Sequence, residues 1–183
     1  MTAARRWFDR RFELGLPVTA APALLERLRD TAPRLEAAAR GLPAPVLSHR
    51  PEGRWSIKEH VGHLTDLEAL WALRLDDFDS GAPILTAADL ENRRTHEARH
   101  NERPIADLLR DFHSARERIL RRLDAMDARA LGRVARHPRL RQPMSVVDLC
   151  FFVAEHDDHH LETIAGIARA LASVPGCPAS VDE

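Results

Sequence analysis

Cysteine, lysine and aromatic residues are all scarce in this sequence, and each scarcity removes a class of explanation. Cys150 and Cys177 are the two thiols among 183 residues. The first lies in an apolar run and the second between two prolines, which is no disulfide framework and suits a reducing compartment. Lys58 stands alone among 27 basic residues, the others being arginine, and from the sequence this reads as a coding bias. Aromatics make up 5% of the chain, too few to offer a stacking platform for nucleic acid. The formal net charge of -1 provides no field for a polyanion or an anionic membrane. The opening "MTAARRWFDRRFELG" has charge without the apolar core of a signal peptide, and no run reaches the roughly 18 apolar residues of a membrane span. The expected setting is cytoplasmic. No strand-like alternation, repeat or low-complexity tract is visible.

What is present is helical periodicity. Hydrophobic residues at 44% and charged residues at 30% describe an ordinary globular chain. One domain is expected over 1–183, with a core at about 6–171 and a flexible tail at 173–183. A first helical zone spans about Pro22 to Gly41, with Pro33 expected to kink or divide it. The second helix, "WSIKEHVGHLTDLEALWALRLDDF", opens on a Ser56/Glu59 capping box and ends at Gly81. Thr86 followed by Asp89 suggests a shorter helix through "AADLENRRTHEARH". A third long helix runs from about Pro104 to Met126, a loop-like segment covers 127–144, and the last helix begins near Ser145 with Asp148 as its capping partner. Four long amphipathic helices with one short insertion between the second and third read as an all-α four-helix bundle.

The last helix carries the conspicuous chemistry. In "FFVAEHDDHHLETI", steps of three and four residues give the stripe Leu149, Val153, His156, His160, Ile164, Ile167 and Leu171. His156 and His160 are one turn apart and share a face. Two imidazoles turned toward a core are either hydrogen-bonded core residues or half of a metal site, since this spacing is a standard way to hold a divalent ion. Asp157 and Asp158 fall off the stripe, where water can solvate them, and His159 lies about 100° from His160. A third ligand must come from another helix. Both His60 and His63 border the apolar face of the second helix, and periodicity does not choose between them.

A rival pattern exists at 96–100. "HEARH" satisfies the zinc-protease pattern, in which two histidines bind zinc and the glutamate is the general base. Arg93, Arg94, Arg99 and Arg103 surround it, whereas a protease's metal helix is largely buried. His96 and His100 therefore read as members of a solvated helix or the edge of a cleft.

"RWSIKEHVGHLTDLEALWALRLDDF" and "MSVVDLCFFVAEHDDHHLETI" resemble the DinB superfamily, particularly its metal-binding, YfiT-type branch. "ENRRTHEARHN" and "HPRLRQPM" extend the similarity across about Arg6 to Leu171. The resemblance implies a four-helix bundle whose divalent ion, zinc or nickel, is held by three histidines. Carried over by position, these are His63 in "VGHL", in preference to His60, with His156 and His160. It also implies a homodimer, and a function among small-molecule enzymes: thiol-dependent transferases using bacillithiol or mycothiol, or hydrolases.

The chemistry behind that implication is simple. Three neutral imidazoles leave the ion its double charge and at least one open position. A thiol bound there loses its proton and becomes a nucleophile, while a bound water reaches a pKa of about 7. The leading expectation is a metal-dependent transferase that activates a low-molecular-weight thiol. A metal-dependent hydrolase and a non-catalytic, metal-stabilised stress or binding module are the alternatives. Glu68 or Glu155 is expected to orient a ligand, Arg139 or Arg141 to meet substrate carboxylates, and Cys150 to pack as a small apolar residue.

Overall fold

Capping decides where the two longest helices begin. In the computed structural model, which describes residues 7–172, the Ser56 side chain accepts from the Glu59 N–H and Glu59 accepts from the Ser56 N–H. This closes the box that opens α3 (Ile57–Ser80), and Gly81 in the left-handed conformation (φ 72°) ends it. Ser145 and Asp148 repeat the reciprocal bonds at the start of α7 (Val146–Ala172). The other long helices are α1 (Ala21–Ala39) and α5 (Ile105–Asp124). Short elements fill the connections: α2 (Ala44–Ser48), α4 (Arg93–Glu97) and α6 (Ala128–Leu131).

The long helices close a ring in which α1 neighbours α7 and α5, while α3 neighbours α5 and α7. Helices α1 and α3 thus occupy opposite corners, as do α5 and α7, so the segments joining them cross the end of the bundle. The segment between α3 and α5 is tied down at several points. Arg74 Nε donates to the Thr86 carbonyl, and Asn101 accepts from Ser56 Oγ and, through its carbonyl, from the buried ammonium of Lys58.

Several local expectations need correction. Of the two outcomes expected at Pro33, division does not occur: α1 is one helix through it, with Leu28, Thr31, Ala32 and Leu35 buried on both sides of the single missing N–H. No helix starts at Thr86. Residues 83–85 instead bridge to Arg136, Thr86 docks on α3 with its N–H on Asp77, and Asp89 accepts from the N–H groups of Glu91 and Arg93. The segment 127–144 is not merely loop: it holds α6 and an antiparallel pair, β1 (Val134–Arg136) with β2 (Pro143–Ser145), Ala135 opposite Met144. The expected tail at 173–183, with Cys177, lies outside the described residues. Cys150 is buried in the apolar core as expected.

The interior is split in two. One apolar cluster includes Leu28, Trp71, Leu75, Phe78, Ile119, Met144, Phe152 and Val153. The other includes Leu35, Ile57, Val61, Leu64, Phe112, Leu161 and Ile164. Between them every long helix contributes a buried polar group: Thr31, Glu68, Arg116 and Asp157. Arg116 lies at the centre, donating to Glu68 (2.7 Å), Asp157 (2.6 Å) and the Leu28 carbonyl (3.2 Å). Thr31 completes the layer with a bond to Asp157 (2.9 Å). Asp157 is therefore buried, contrary to the expectation of a solvated acid. Asp158 is partly exposed and paired with Arg27 and Arg34. Burial opposes the Arg116 charge, but Asp157 and Glu68 outweigh it and raise the pKa.

Removing one partner from such a layer strands the others. Arg116→Met leaves Glu68 and Asp157 buried without their cation and should lower the unfolding free energy by about 3–5 kcal/mol in urea denaturation. Replacing Glu68 and Asp157 with leucine in the same chain should recover much of that loss. A single-variant cost under about 1 kcal/mol, the worth of a surface pair, would contradict a central structural role for the layer.

Candidate metal centre

Just beside the ionic layer, α3 and α7 face each other across three imidazoles. His63 comes from α3, and His156 and His160 from successive turns of α7. All three are buried, and one ring nitrogen from each lies within 4.8 Å of the others. The stripe read from the sequence is buried from Leu149 to Ile167, with Leu171 half-exposed at its end.

A hydrogen bond at its far ring nitrogen sets the tautomer of His63. His63 Nδ1 lies 3.0 Å from Thr95 Oγ1, and the Thr95 hydroxyl donates to Asp66 (2.9 Å). Thr95 must therefore accept from His63 Nδ1–H, which leaves the Nε2 lone pair free. Asp66 is in turn held by His100 (2.9 Å) and Arg94 (3.2 Å). His160 Nδ1 meets His60 Nδ1 at 2.8 Å; a proton on the His160 side again bares Nε2. The Nε2 atoms of His156 and His160 are 3.2 Å apart. That is close to the edge, about 3.4 Å, of a tetrahedron with metal–nitrogen bonds of about 2.0–2.1 Å. Three buried imidazoles with one ring nitrogen each this close together are a donor set that fits a divalent ion.

Burial keeps these rings neutral. It pushes His60 down to about 4 and His63 to about 3, and it holds His156 and His160 well below the ordinary 6.5, each helped by neighbouring histidines. Trp55 packs over His63 (4.6 Å between ring centroids), and Trp7 meets His156 edge-on (4.9 Å). The cluster opens into a cavity of about 620 Å³, whose walls include His60, His159, Trp71, Arg74, His137 and Arg139.

The other sequence candidates divide clearly. His60 does not join the three-histidine set but backs His160. The zinc-protease reading of 96–100 fails: α4 ends at Glu97, Arg99 takes a left-handed conformation (φ 51°), His96 is exposed and His100 is buried. The two rings therefore share no helical face. His100 packs so tightly on α3 that a Cβ at Gly62 would overlap its ring. Neither expected carboxylate is hydrogen-bonded to a cluster histidine: Glu155 pairs with Arg10 and Arg27, and Glu68 bonds Arg116 through Oε1 while its Oε2 has no partner among the described residues. Thr95 and Asp66 orient His63 instead. Asp66 was legible only as an acid one turn beyond His63, and Thr95 carried no signal at all.

For protein stripped of divalent ions, the depressed histidines fix the sign of a pH effect. Unfolding restores values near 6.5, so between about pH 6.5 and 4 the unfolded chain binds protons that the folded chain refuses. Stability should be level above pH 6.5 and fall below it, each histidine adding up to about 1.4 kcal/mol per pH unit. Urea midpoints measured from pH 7.5 to 5 check this, and a level profile would contradict burial of neutral imidazoles.

Comparison with known proteins is consistent with this architecture. The profile of the DinB superfamily matches residues 23–164. Among solved structures, YfiT from Bacillus subtilis, described as a probable metal-dependent hydrolase with an unusual four-helix bundle topology, superposes with a TM-score of 0.77. The alignment covers 90% of this chain and 94% of that one at 14% identity, a likeness of fold. No curated protein sequence matches the chain.

Proposed function

Since the chain belongs to the DinB superfamily, we propose that His63, His156 and His160 hold one divalent ion, zinc or nickel, at the head of a substrate cavity. The further proposal is a cytoplasmic, metal-dependent transferase that activates a small thiol for attack on an electrophile. One observation carries the metal reading: three buried imidazole nitrogens converge, with Thr95 and His60 engaging the opposite nitrogens of two of the rings. A divalent ion in that position would bring the pKa of a coordinated thiol or water toward neutrality.

The residues around the cluster favour thiol chemistry. Hydrolysis at such a centre commonly employs a carboxylate as general base. Among the described residues, Asp66 is engaged by Thr95, His100 and Arg94, and Glu155 by arginines. Asp89, an acid in the cavity wall, is exposed and bound to backbone N–H groups. A thiol needs no such base, because coordination alone suffices to deprotonate it. Trp7 and Trp55 cover the imidazoles and limit water beside them. The hydrolase reading draws its support from the description of YfiT.

Metal analysis of untagged protein should find about one divalent ion per chain. Alanine at His63, His156 or His160 should abolish it, Thr95→Val should weaken affinity about 10–100-fold, and His96→Ala should leave it unchanged. Metal-loaded protein incubated with a panel of small thiols and monochlorobimane should conjugate them faster than the uncatalysed rate, and His160→Ala should not. Metal-dependent ester cleavage with no accepted thiol would transfer the assignment to a hydrolase. Loss of thermal stability alone on metal removal would make the ion structural.

A further inference from the structure

At another part of the same cavity, three buried donors have no partner among the described residues. Arg74 is 1% exposed; its Nε donates to the Thr86 carbonyl (3.0 Å), but Nη1 finds no acceptor. Arg139, from the turn between β1 and β2, lays its guanidinium over Phe8 (5.3 Å), and its Nη2 is equally unsatisfied. His137 is 2% exposed and accepts the Leu140 N–H at Nδ1 (3.1 Å). Its ring proton must then be on Nε2, and that N–H is the third orphan. All three residues line the cavity.

This is not how the fold treats a buried arginine elsewhere. Arg116, equally buried, meets two carboxylates and a carbonyl. Neither Arg74 nor Arg139 makes an ion pair among the described residues. Asp77 exerts some attraction on Arg74 but spends Oδ2 on the Thr86 N–H. Burial, with Arg139 adding repulsion, pushes Arg74 down to about 10, and burial lowers Arg139 as well. Two desolvated cations and a fixed N–H donor, with no acceptor among them, form the counterpart of an anion.

We propose that Arg74, Arg139 and His137 seat a substrate carboxylate, so that the molecule presented to the histidine cluster is an acid. For its reactive end this rests on the metal reading above; the seat itself does not. Trp71 joins the two ends, lying 5.3 Å from the Arg74 guanidinium and 6.2 Å from the His156 ring. The ligand therefore needs an apolar linker to run along that indole, with the carboxylate at one end and the metal-seeking group at the other. Three donors suit the two oxygens of a carboxylate better than the three terminal oxygens of a phosphate. The volume, about 620 Å³, is that of a small-molecule site.

Tryptophans in the cavity wall provide a readout that needs no metal. Ion-free protein is titrated with butyrate, n-butanol or inorganic phosphate while tryptophan fluorescence is followed. Butyrate should quench saturably and butanol should not. Arg139→Gln, at a half-buried position, and Arg74→Met, checked for folding by circular dichroism, should each weaken butyrate at least tenfold. On cobalt-loaded protein, 6-mercaptohexanoate should give the thiolate-to-cobalt absorption at concentrations at least tenfold lower than 6-mercaptohexanol. Absent or variant-insensitive butyrate binding with cobalt still bound would overturn the carboxylate seat and leave the metal reading intact. Butyrate binding without cobalt binding would do the reverse. Preference for phosphate over butyrate would overturn the assignment to carboxylic acids.

Discussion

One guanidinium fixes the relative positions of four helices. Arg116 of α5 is bonded to Glu68 of α3, Asp157 of α7 and the Leu28 carbonyl of α1. A displacement of any helix along its axis would leave a buried charge or carbonyl unpaired, whereas apolar contacts on either side tolerate small slips. Such layers are poor stabilisers compared with well-packed apolar side chains, and their best-attested use is to specify register. Register matters here because Asp157 is adjacent to His156, and Glu68 lies little more than a turn from His63. The ionic layer and the histidine cluster are two faces of one polar cross-section between apolar halves.

That cross-section explains how so many histidines remain neutral in the interior. His63 donates its Nδ1–H to Thr95 and His160 shares a hydrogen bond with His60, so the cluster's polar demand is exported to α4 and to the start of α3. The segment between α3 and α5, irregular in outline, is thus part of the site's scaffold. Gly62 is the point where it comes nearest, since the His100 ring occupies the space a side chain would need. From the same scaffold the cavity extends past Trp71 to Arg74, which is anchored through Thr86 of that segment.

The bundle and its long helices were legible because capping pairs and apolar stripes are local signals. Ser56/Glu59, Gly81 and Ser145/Asp148 lie where those signals put them. The histidines of α7 were legible for the same reason. Asp157 was not: a helical wheel gives one buried face, but in a closed ring α7 is covered by α1 as well as α3, and the buried arc widens. Arg116 escaped notice because arginine is ordinarily a surface residue. Strands of three residues are too short to show a period, and Thr95 reaches His63 through a fold-level juxtaposition of residues 32 apart.

The scarcity of lysine acquires a meaning once Lys58 is located. Its ammonium is tucked at the start of α3 against the Asn101 carbonyl, and the residue is 8% exposed. Every other basic side chain apart from histidine is a guanidinium. Acetylation, ubiquitin transfer and amine-directed labels need a free primary amine, and no side chain in the sequence offers an accessible one. An exposed guanidinium also keeps its proton at alkalinities that would discharge a lysine. The exposed arginine side chains are therefore poor targets for acylating agents, and near neutral pH the side-chain charge is adjusted through acids and histidines.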